Sequence, residues 1–422
     1  MNAHRYGGAC SLVLCALCGS SMASEAQTNA FGAAPSLDKR MSFNGKQLLI
    51  GESLRSVGTN ESARFAWELI GAALWDVETG QKVREFLVQP GTLTAATISP
   101  RGGQVATASW MTFGAYMGGR GPASLWDIAT GKVLWGLGIA DDFVFSPDGR
   151  RVVCSSDSYI SMFDAETGRQ LFGMEARIHD SGNRSGSYGV NFSPDSRRVA
   201  VVSLWKITVC DSTSSNEVCT IQLEPGAPRD TFYSAQFSPD GKLIVSQHYS
   251  GTSRVWDATT GRQVQVFTAG AGGARGSIVI FTPDGQQAIS GSGDGLAILW
   301  DVKTGKEIRR FQIPGVDPMS GDQMHQMIIS RDGKRLITSC QVSRRGGGGP
   351  ERIEMLWDLQ SGQLIKEFDE YPRTVNGAYR PGGKIVGFSP VDETFITVED
   401  EKPLALWDAA TGKIIRQYNV GH

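Results

Sequence analysis

Between Ser277 and Phe311 the chain alternates short apolar runs with polar, glycine-bearing breaks. "IVIF" (Ile278 to Phe281) is a β-branched run of strand length. It stops at Pro283-Asp284-Gly285, where proline presets φ and glycine takes the positive φ of a tight turn. "QAIS" predicts a returning strand, and "AILW", after "GSGDG", a third. "KEIRRF", after "DVKTG", alternates as a half-exposed outer strand would. Four antiparallel strands in about 45 residues form one sheet, which cannot bury both faces unless similar sheets stack against it.

The same pattern recurs along the chain. Trp-Asp pairs stand at Trp75-Asp76, Trp126-Asp127, Trp256-Asp257, Trp300-Asp301, Trp357-Asp358 and Trp407-Asp408. Degenerate copies fill the gap at Phe163-Asp164 and Cys210-Asp211. Each is preceded by a turn signature. "FSPDGRR" begins at Phe145, "FSPDSRR" at Phe192, "FSPDGKL" at Phe237 and "FTPDGQQ" at Phe281. Looser forms begin at Met41, Ile98, Ile329 and Phe388. Eight turn signatures paired with eight Trp-Asp signatures predict an all-β fold, an eight-bladed β-propeller of four-stranded antiparallel blades. Seven blades is the alternative, with the unit from Phe192 to Leu223 the weakest.

On these Trp-Asp and Ser-Pro-Asp-Gly elements the chain resembles the WD40-repeat proteins, bacterial-type and exported, from about Leu37 to the C-terminus. The Gly-His pair that opens a standard WD40 unit is missing between units; the only Gly-His is Gly421-His422. The resemblance therefore implies that the family's Asp–His–Ser/Thr–Trp hydrogen-bond chain is incomplete, leaving blades held mainly by apolar packing. Each Trp-Asp copy is read as scaffold, the end of a third strand plus the turn into the fourth. The last unit carries its own fourth strand, "KIIRQY", so the ring is expected to close by packing its termini or by an added outer strand from residues 25 to 37.

Unit length varies in one place. Between the two signatures, three units carry excess residues, all between the second and third strands: "SLRSVGTNESARFAWELIG", "SWMTFGAYMGGRG" and "SRRGGGGPER". In a four-stranded meander these insertions and the inter-blade links share one end of the ring. Loops on a rigid scaffold are where recognition usually resides. Aromatics, Met and Arg are enriched at interface hot spots, which makes Trp110, Phe113, Tyr116 and Arg120 in one insertion the leading partner-binding candidates. Trp67 in another and Arg344 and Arg345 in the third join them. The competing reading packs these aromatics onto their own blade and leaves the Gly-rich "RRGGGGPER" a solvated loop.

Composition narrows the function classes. The 422 residues carry a formal net charge of −2, which lacks the concentrated basic face of a nucleic-acid binder. Five histidines are scattered without metal-ligand spacing, and no G-x-S-x-G occurs. "AGAGGARG" (Ala269 to Gly276) lies between strands, not before a helix that would hold a phosphate. No cofactor, metal or catalytic residue is expected. The enzymatic alternative is a propeller of the quinoprotein dehydrogenase type, whose docking motif "LWDIATGKVLW" (Leu125 to Trp135) resembles in a single copy.

The N-terminus reads differently. Arg5, the apolar run from Cys10 to Gly19 and the small residues Ser21 and Ala23 have the layout of a secretory signal peptide, too short to span a bilayer. The expected organisation is a signal peptide over 1–23, a linker over 24–37 and the propeller over 38–422. The protein is thus expected to be exported, periplasmic or secreted, with no membrane span, and to act as a non-enzymatic scaffold for protein partners. Cys210 and Cys219, across one turn, are read either as a disulfide or as two buried small residues.

Overall fold

A computed structural model describes residues 41–44, 46–52, 55–56, 67–68, 71–88, 92–113, 117–140, 142–156, 159–175, 189–203, 205–223, 231–248, 250–268, 278–292, 295–313, 323–342, 351–368, 384–389, 393–398 and 404–418. The described residues hold eight four-stranded antiparallel sheets and no helix. Blade 6 sets the pattern: Ile278–Phe281, Gln287–Gly291, Leu296–Asp301 and Glu307–Gln312 pair in sequence order. Blade 4, the degenerate unit, is complete, with Gly189–Phe192, Arg198–Val202, Lys206–Asp211 and Glu217–Gln222. The eight-blade expectation holds. The expected signal peptide and linker lie outside the described residues.

Both sequence signatures cap turns. In blade 3 Ser146 Oγ donates to Asp148 Oδ1 (2.6 Å), that oxygen accepts from the Arg150 amide (3.0 Å), and Gly149 takes φ +63°. In blade 6 Asp301 Oδ1 accepts from both the amide and the hydroxyl of Thr304 (2.7 Å each), and the Gly305 amide donates to the Asp301 carbonyl at φ +69°. Aspartate and threonine satisfy the amides of the turn, and glycine supplies its left-handed φ. That is why "D-x-x-T-G" recurs. Blade 4 makes the same turns with Ser196 (φ +62°) and Ser215 (φ +63°) in the glycine positions.

Packing occurs between blades. From blades 1–2 through 7–8, each consecutive pair shares an apolar cluster. The outer-strand phenylalanine of one blade meets the signature tryptophan of the next: Phe86–Trp126 at 5.8 Å, Phe267–Trp300 at 5.4 Å, Phe311–Trp357 at 5.9 Å and Phe368–Trp407 at 5.2 Å between ring centroids. Full burial of such a ring stabilises by about 1.5–3 kcal/mol.

A second contact sits two residues before each of those phenylalanines. Arg84 donates to the Ala129 carbonyl (2.8 Å) and Arg309 to the Ser361 carbonyl (2.7 Å), each reaching the third-to-fourth turn of the next blade. Trp135, Gln265 and Lys366 lie over Gly168, Gly305 and Gly412 in the same manner. Arg416 of blade 8 donates to the Glu78 carbonyl of blade 1, and the first strands of blades 8 and 1 are neighbours. The ring closes by packing its termini, and the fourth strand of blade 8 (Lys413–Tyr418) is its own.

The polar chain is incomplete, as expected, but half of it persists, and of the two readings of the cysteine pair the structure has the free one. The tryptophans do enter hydrogen bonds: the indole N–H of Trp126, Trp256, Trp300, Trp357 and Trp407 donates to Thr107, Ser246, Ser290, Thr338 and Thr397 at 2.7–2.9 Å. The Trp–Ser/Thr half of the polar chain survives without Gly-His, because both residues lie on paired strands of one blade. In blade 5 the buried His248 adds a third member, 2.8 Å from Ser246 Oγ. Cys210 and Cys219 are both free. Val209 pairs with Cys219 and Cys210 with Glu217, so a one-residue offset aims the thiols at opposite faces. Cys210 packs toward blade 3 and Cys219 toward blade 5.

Candidate functional site

The two ends of the ring are built differently. One end holds the first-to-second and third-to-fourth turns, capped in the manner just described among the described residues. The other holds the second-to-third connections and the inter-blade links. All three insertions fall at this second end, and all three contain strand pairing, where the sequence suggested loops.

In blade 2 the second strand runs Gln104–Phe113 and the third Met117–Asp127, paired as far as Phe113↔Met117. The second strand of blade 3 has five residues and this one ten, which projects the hairpin about 17 Å further at strand rise. Blade 7 extends its strands to Val342↔Glu351. Blade 1 adds a separate two-stranded ribbon, Arg55↔Glu68 and Ser56↔Trp67. Because the ring closes between blades 8 and 1, blades 7, 8, 1 and 2 are consecutive, so the three hairpins stand on one arc.

Most of the sequence-predicted residues sit on these hairpins. Trp110 pairs with Thr92 on one side and Arg120 on the other, so the geometry brings Trp110 and Arg120 together as cross-strand neighbours. Phe113 lies at the hairpin tip and Trp67 on the blade 1 ribbon. Tyr116, Arg344 and Arg345 lie outside the described residues.

Four further residues at this end were not singled out by sequence. Leu87 ends the outer strand of blade 1, Ile139 that of blade 2, Tyr159 begins the third strand of blade 3, and Trp205 occupies the second-to-third turn of blade 4. All four are exposed, Ile139 and Trp205 at 60% each. Among the described residues, every exposed large apolar side chain at this end belongs to blades 1 to 4. Tyr159 pairs with Glu175 and lays its ring over Gly173, the diagonal neighbour on the fourth strand: an added Cβ there would lie 2.1 Å from the Tyr159 hydroxyl. Insertion length could not reveal Trp205, whose turn is of ordinary length. The available signal was a tryptophan between Ser203-Leu204 and Lys206, where a turn normally carries polar residues.

The capped end carries the signature aspartates, interspersed with Lys and Arg of the same turns. The Thr260 amide, then its hydroxyl, hold the Asp257 carboxyl below its ordinary range. At Asp301 the Thr304 hydroxyl leads and its amide follows. At Asp164 burial pushes the carboxyl up, and the amide and hydroxyl of Thr167 outweigh it. The remaining signature aspartates, Asp76, Asp127, Asp211, Asp358 and Asp408, are lowered as well. These ionised carboxylates accept from the amides and hydroxyls of their own turns, and Asp358 also pairs with Arg335 at 2.6 Å. Their chemistry is that of caps.

A quinone cofactor does not fit the described residues. The innermost strands carry Asp142 and Lys384 as their only charged side chains. No group of three or more His, Cys, Asp or Glu among the described residues could hold a calcium ion. Trp135, the end of the single docking motif, lies over Gly168 of the next blade and serves the ring.

Solved structures with this fold include the computationally designed Ika8 protein, at 19% identity and TM-score 0.60, covering 88% of this chain and 96% of the other. The C-terminal WD40 domain of Sif2 matches at 16% identity and TM-score 0.61, covering 87% and 94%. At these identities the likeness is one of fold, and the WD40 resemblance holds at that level. A comparison with curated proteins finds no match. The profile of the family described as outer membrane protein assembly factor BamB matches residues 68–311, more than half of the chain. The protein is a β-propeller of that family.

Proposed function

We propose that the protein is an exported, non-enzymatic binding platform that serves protein assembly, with its partner seated on the end of the ring that carries the hairpins. One observation carries the reading. Three β-hairpins and the exposed Leu87, Ile139, Tyr159 and Trp205 all occupy that end, while the opposite end is closed by capped turns. Exposed large apolar side chains gathered on one end of a rigid frame suit a protein contact. The description of the matched family, an outer membrane protein assembly factor, supports both assembly and a location outside the cytoplasm. So does the leader-like stretch that ends at Ala23.

Capture of partners from the exported fraction by the full chain tests the reading, with Trp205→Ala and Trp110→Ala alongside. Loss of capture in either variant, with unchanged unfolding, supports it. Normal capture by both refutes the placement. Mature protein isolated from the exported fraction should begin near Ser24. A quinone absorption band in the purified protein would replace this reading with an enzymatic one.

A further inference from the structure

The fourth strand of every blade is an edge strand, and edges invite pairing with foreign strands unless charge, proline or a bulge protects them. Six of the eight are charged. Blade 1 carries Lys82, Arg84 and Glu85, and blade 6 Glu307, Arg309 and Arg310. Blade 7 has Lys366 and Glu367, blade 8 Lys413 and Arg416, blade 3 Glu175 and blade 4 Glu217. Blade 2, Val133–Ile139, is uncharged but is broken by a second irregularity between Gly136 and Gly138, with Gly138 at φ +78°. Blade 5, Gln263–Thr268 ("QVQVFT"), has neither defence: no charge, no glycine, and only the irregularity beside the tryptophan that all blades share.

The strand is firmly anchored on its inner side. Phe267 is fully buried and stacks on Trp300, and Gln265 lies over Gly305. On its other face Val264 and Val266 are 49% and 38% exposed. At the position of Val266 the neighbouring blades 6 and 7 place Arg310 and Glu367. The Val266 amide donates to Oε1 of the adjacent Gln265 at 3.3 Å, so it points to the free edge and away from the third strand. By the two-residue alternation of a strand, the amide of Thr268 points the same way, whereas Val264 sits at the register shift, between Gln263 opposite Trp256 and Gln265 opposite Val255. Among the described residues no strand pairs with this edge.

We infer that the outer edge of blade 5, Gln263–Thr268, is a second docking site that takes an extended, uncharged segment of a partner protein by strand addition. The free backbone groups fix the occupant as a strand, because only another backbone satisfies a row of alternating donors and acceptors. Charge matching fixes its composition. The edge strand itself offers a charged strand no partner for its ions, and the one cation beside it, Arg254 opposite Val266, already donates to Gln263 Oε1 at 3.2 Å; a neutral strand with β-branched residues at alternate positions packs on Val266. The side chain of Gln265 holds the Val266 amide until a strand displaces it. This site lies on the rim, away from the hairpins, and holds whether or not the hairpin end is used.

The test uses the full chain and a soluble uncharged eight-residue peptide with valine at alternate positions. Fluorescence anisotropy reads binding, and amide hydrogen exchange reads the edge. The peptide should bind the wild type and slow exchange at Val266 and Thr268. Val266→Lys, which copies a charge found on other blades, should weaken binding at least tenfold. Val266→Pro removes only an edge donor and should do the same while the protein unfolds normally. Trp205→Ala should bind the peptide as the wild type does, which separates this site from the hairpin end. No binding by the wild type, or wild-type binding by both Val266 variants, overturns the inference. A dimer that Val266→Lys dissociates would assign the edge to a second copy of the chain and overturn it equally.

Discussion

The capped end and the hairpin end of this ring are made by the same strands and obey different rules. At the capped end the signature residues cap their own turns, Asp301 with Thr304 and Ser146 with Asp148, with glycine where φ turns positive. At the hairpin end blade 2 runs on to Phe113↔Met117, while blade 4 turns back at Trp205. Fixed chemistry at one end holds the registers of all eight sheets, and so frees the other end to vary. Lengthening a surface connection adds little closure entropy.

Acid should break this comparison most broadly, because it touches every blade at once. The signature aspartates titrate lower in the folded ring than in an unfolded chain. Their ionised form therefore favours folding above about pH 4, and that contribution is lost as the pH falls through the folded values. Stability measured by urea unfolding should be flat from about pH 7 to 5 and drop steeply below about pH 4. An unchanged midpoint at pH 3 would mean that the caps contribute little.

Next in size is the loss of one signature tryptophan. Trp256 is buried, donates to Ser246 and lies 6.2 Å from Phe232 between ring centroids. Trp256→Ala should cost about 3–5 kcal/mol by chemical denaturation. Trp205→Ala, at the other end, should alter stability by about 0.5 kcal/mol or less and weaken partner binding by about 2 kcal/mol. The opposite ranking would reverse the roles assigned to the two ends.

Sequence legibility follows the same division. Caps and left-handed turns can be made by few residue types, so their letters recur and the eight blades could be counted. Blade 4 was countable because Asp211 and Ser193 persist where Trp and Gly do not. At the hairpin end no single chemistry is required. "WMTFGAYMGGR" reads as a loop until Trp110↔Arg120 and Phe113↔Met117 are seen to pair. Trp205, Tyr159 and Ile139 were illegible because exposure belongs to the assembled ring. Tyr159 depends on Gly173, its diagonal neighbour on the next strand. The Trp–Ser/Thr bonds were illegible because they depend on cross-strand register, which supplies Thr107, Ser246 and Ser290 without any Gly-His.

The smallest effect sharpens the rule for the capped end, and blade 4 supplies it. Ser215 holds φ +63° where the other blades have glycine, and its hydroxyl has no partner among the described contacts. A side chain in that conformation costs about 1–2 kcal/mol, and glycine returns part of the gain as chain entropy, about 0.5–1 kcal/mol. Ser215→Gly should therefore stabilise the protein by about 0.5 kcal/mol. Ser196 is the control. It holds φ +62° in the companion turn, but its hydroxyl accepts from the Asp148 amide of blade 3 at 3.0 Å. Ser196→Gly relieves the same backbone strain and loses that inter-blade bond, itself about 1 kcal/mol, so it should be neutral or slightly destabilising. Paired unfolding curves of the two variants decide the point. If both stabilise equally, the Ser196 bond carries nothing and glycine turns alone set the capped end. If neither does, the left-handed turns of blade 4 are strained by the ring and not by their own residues.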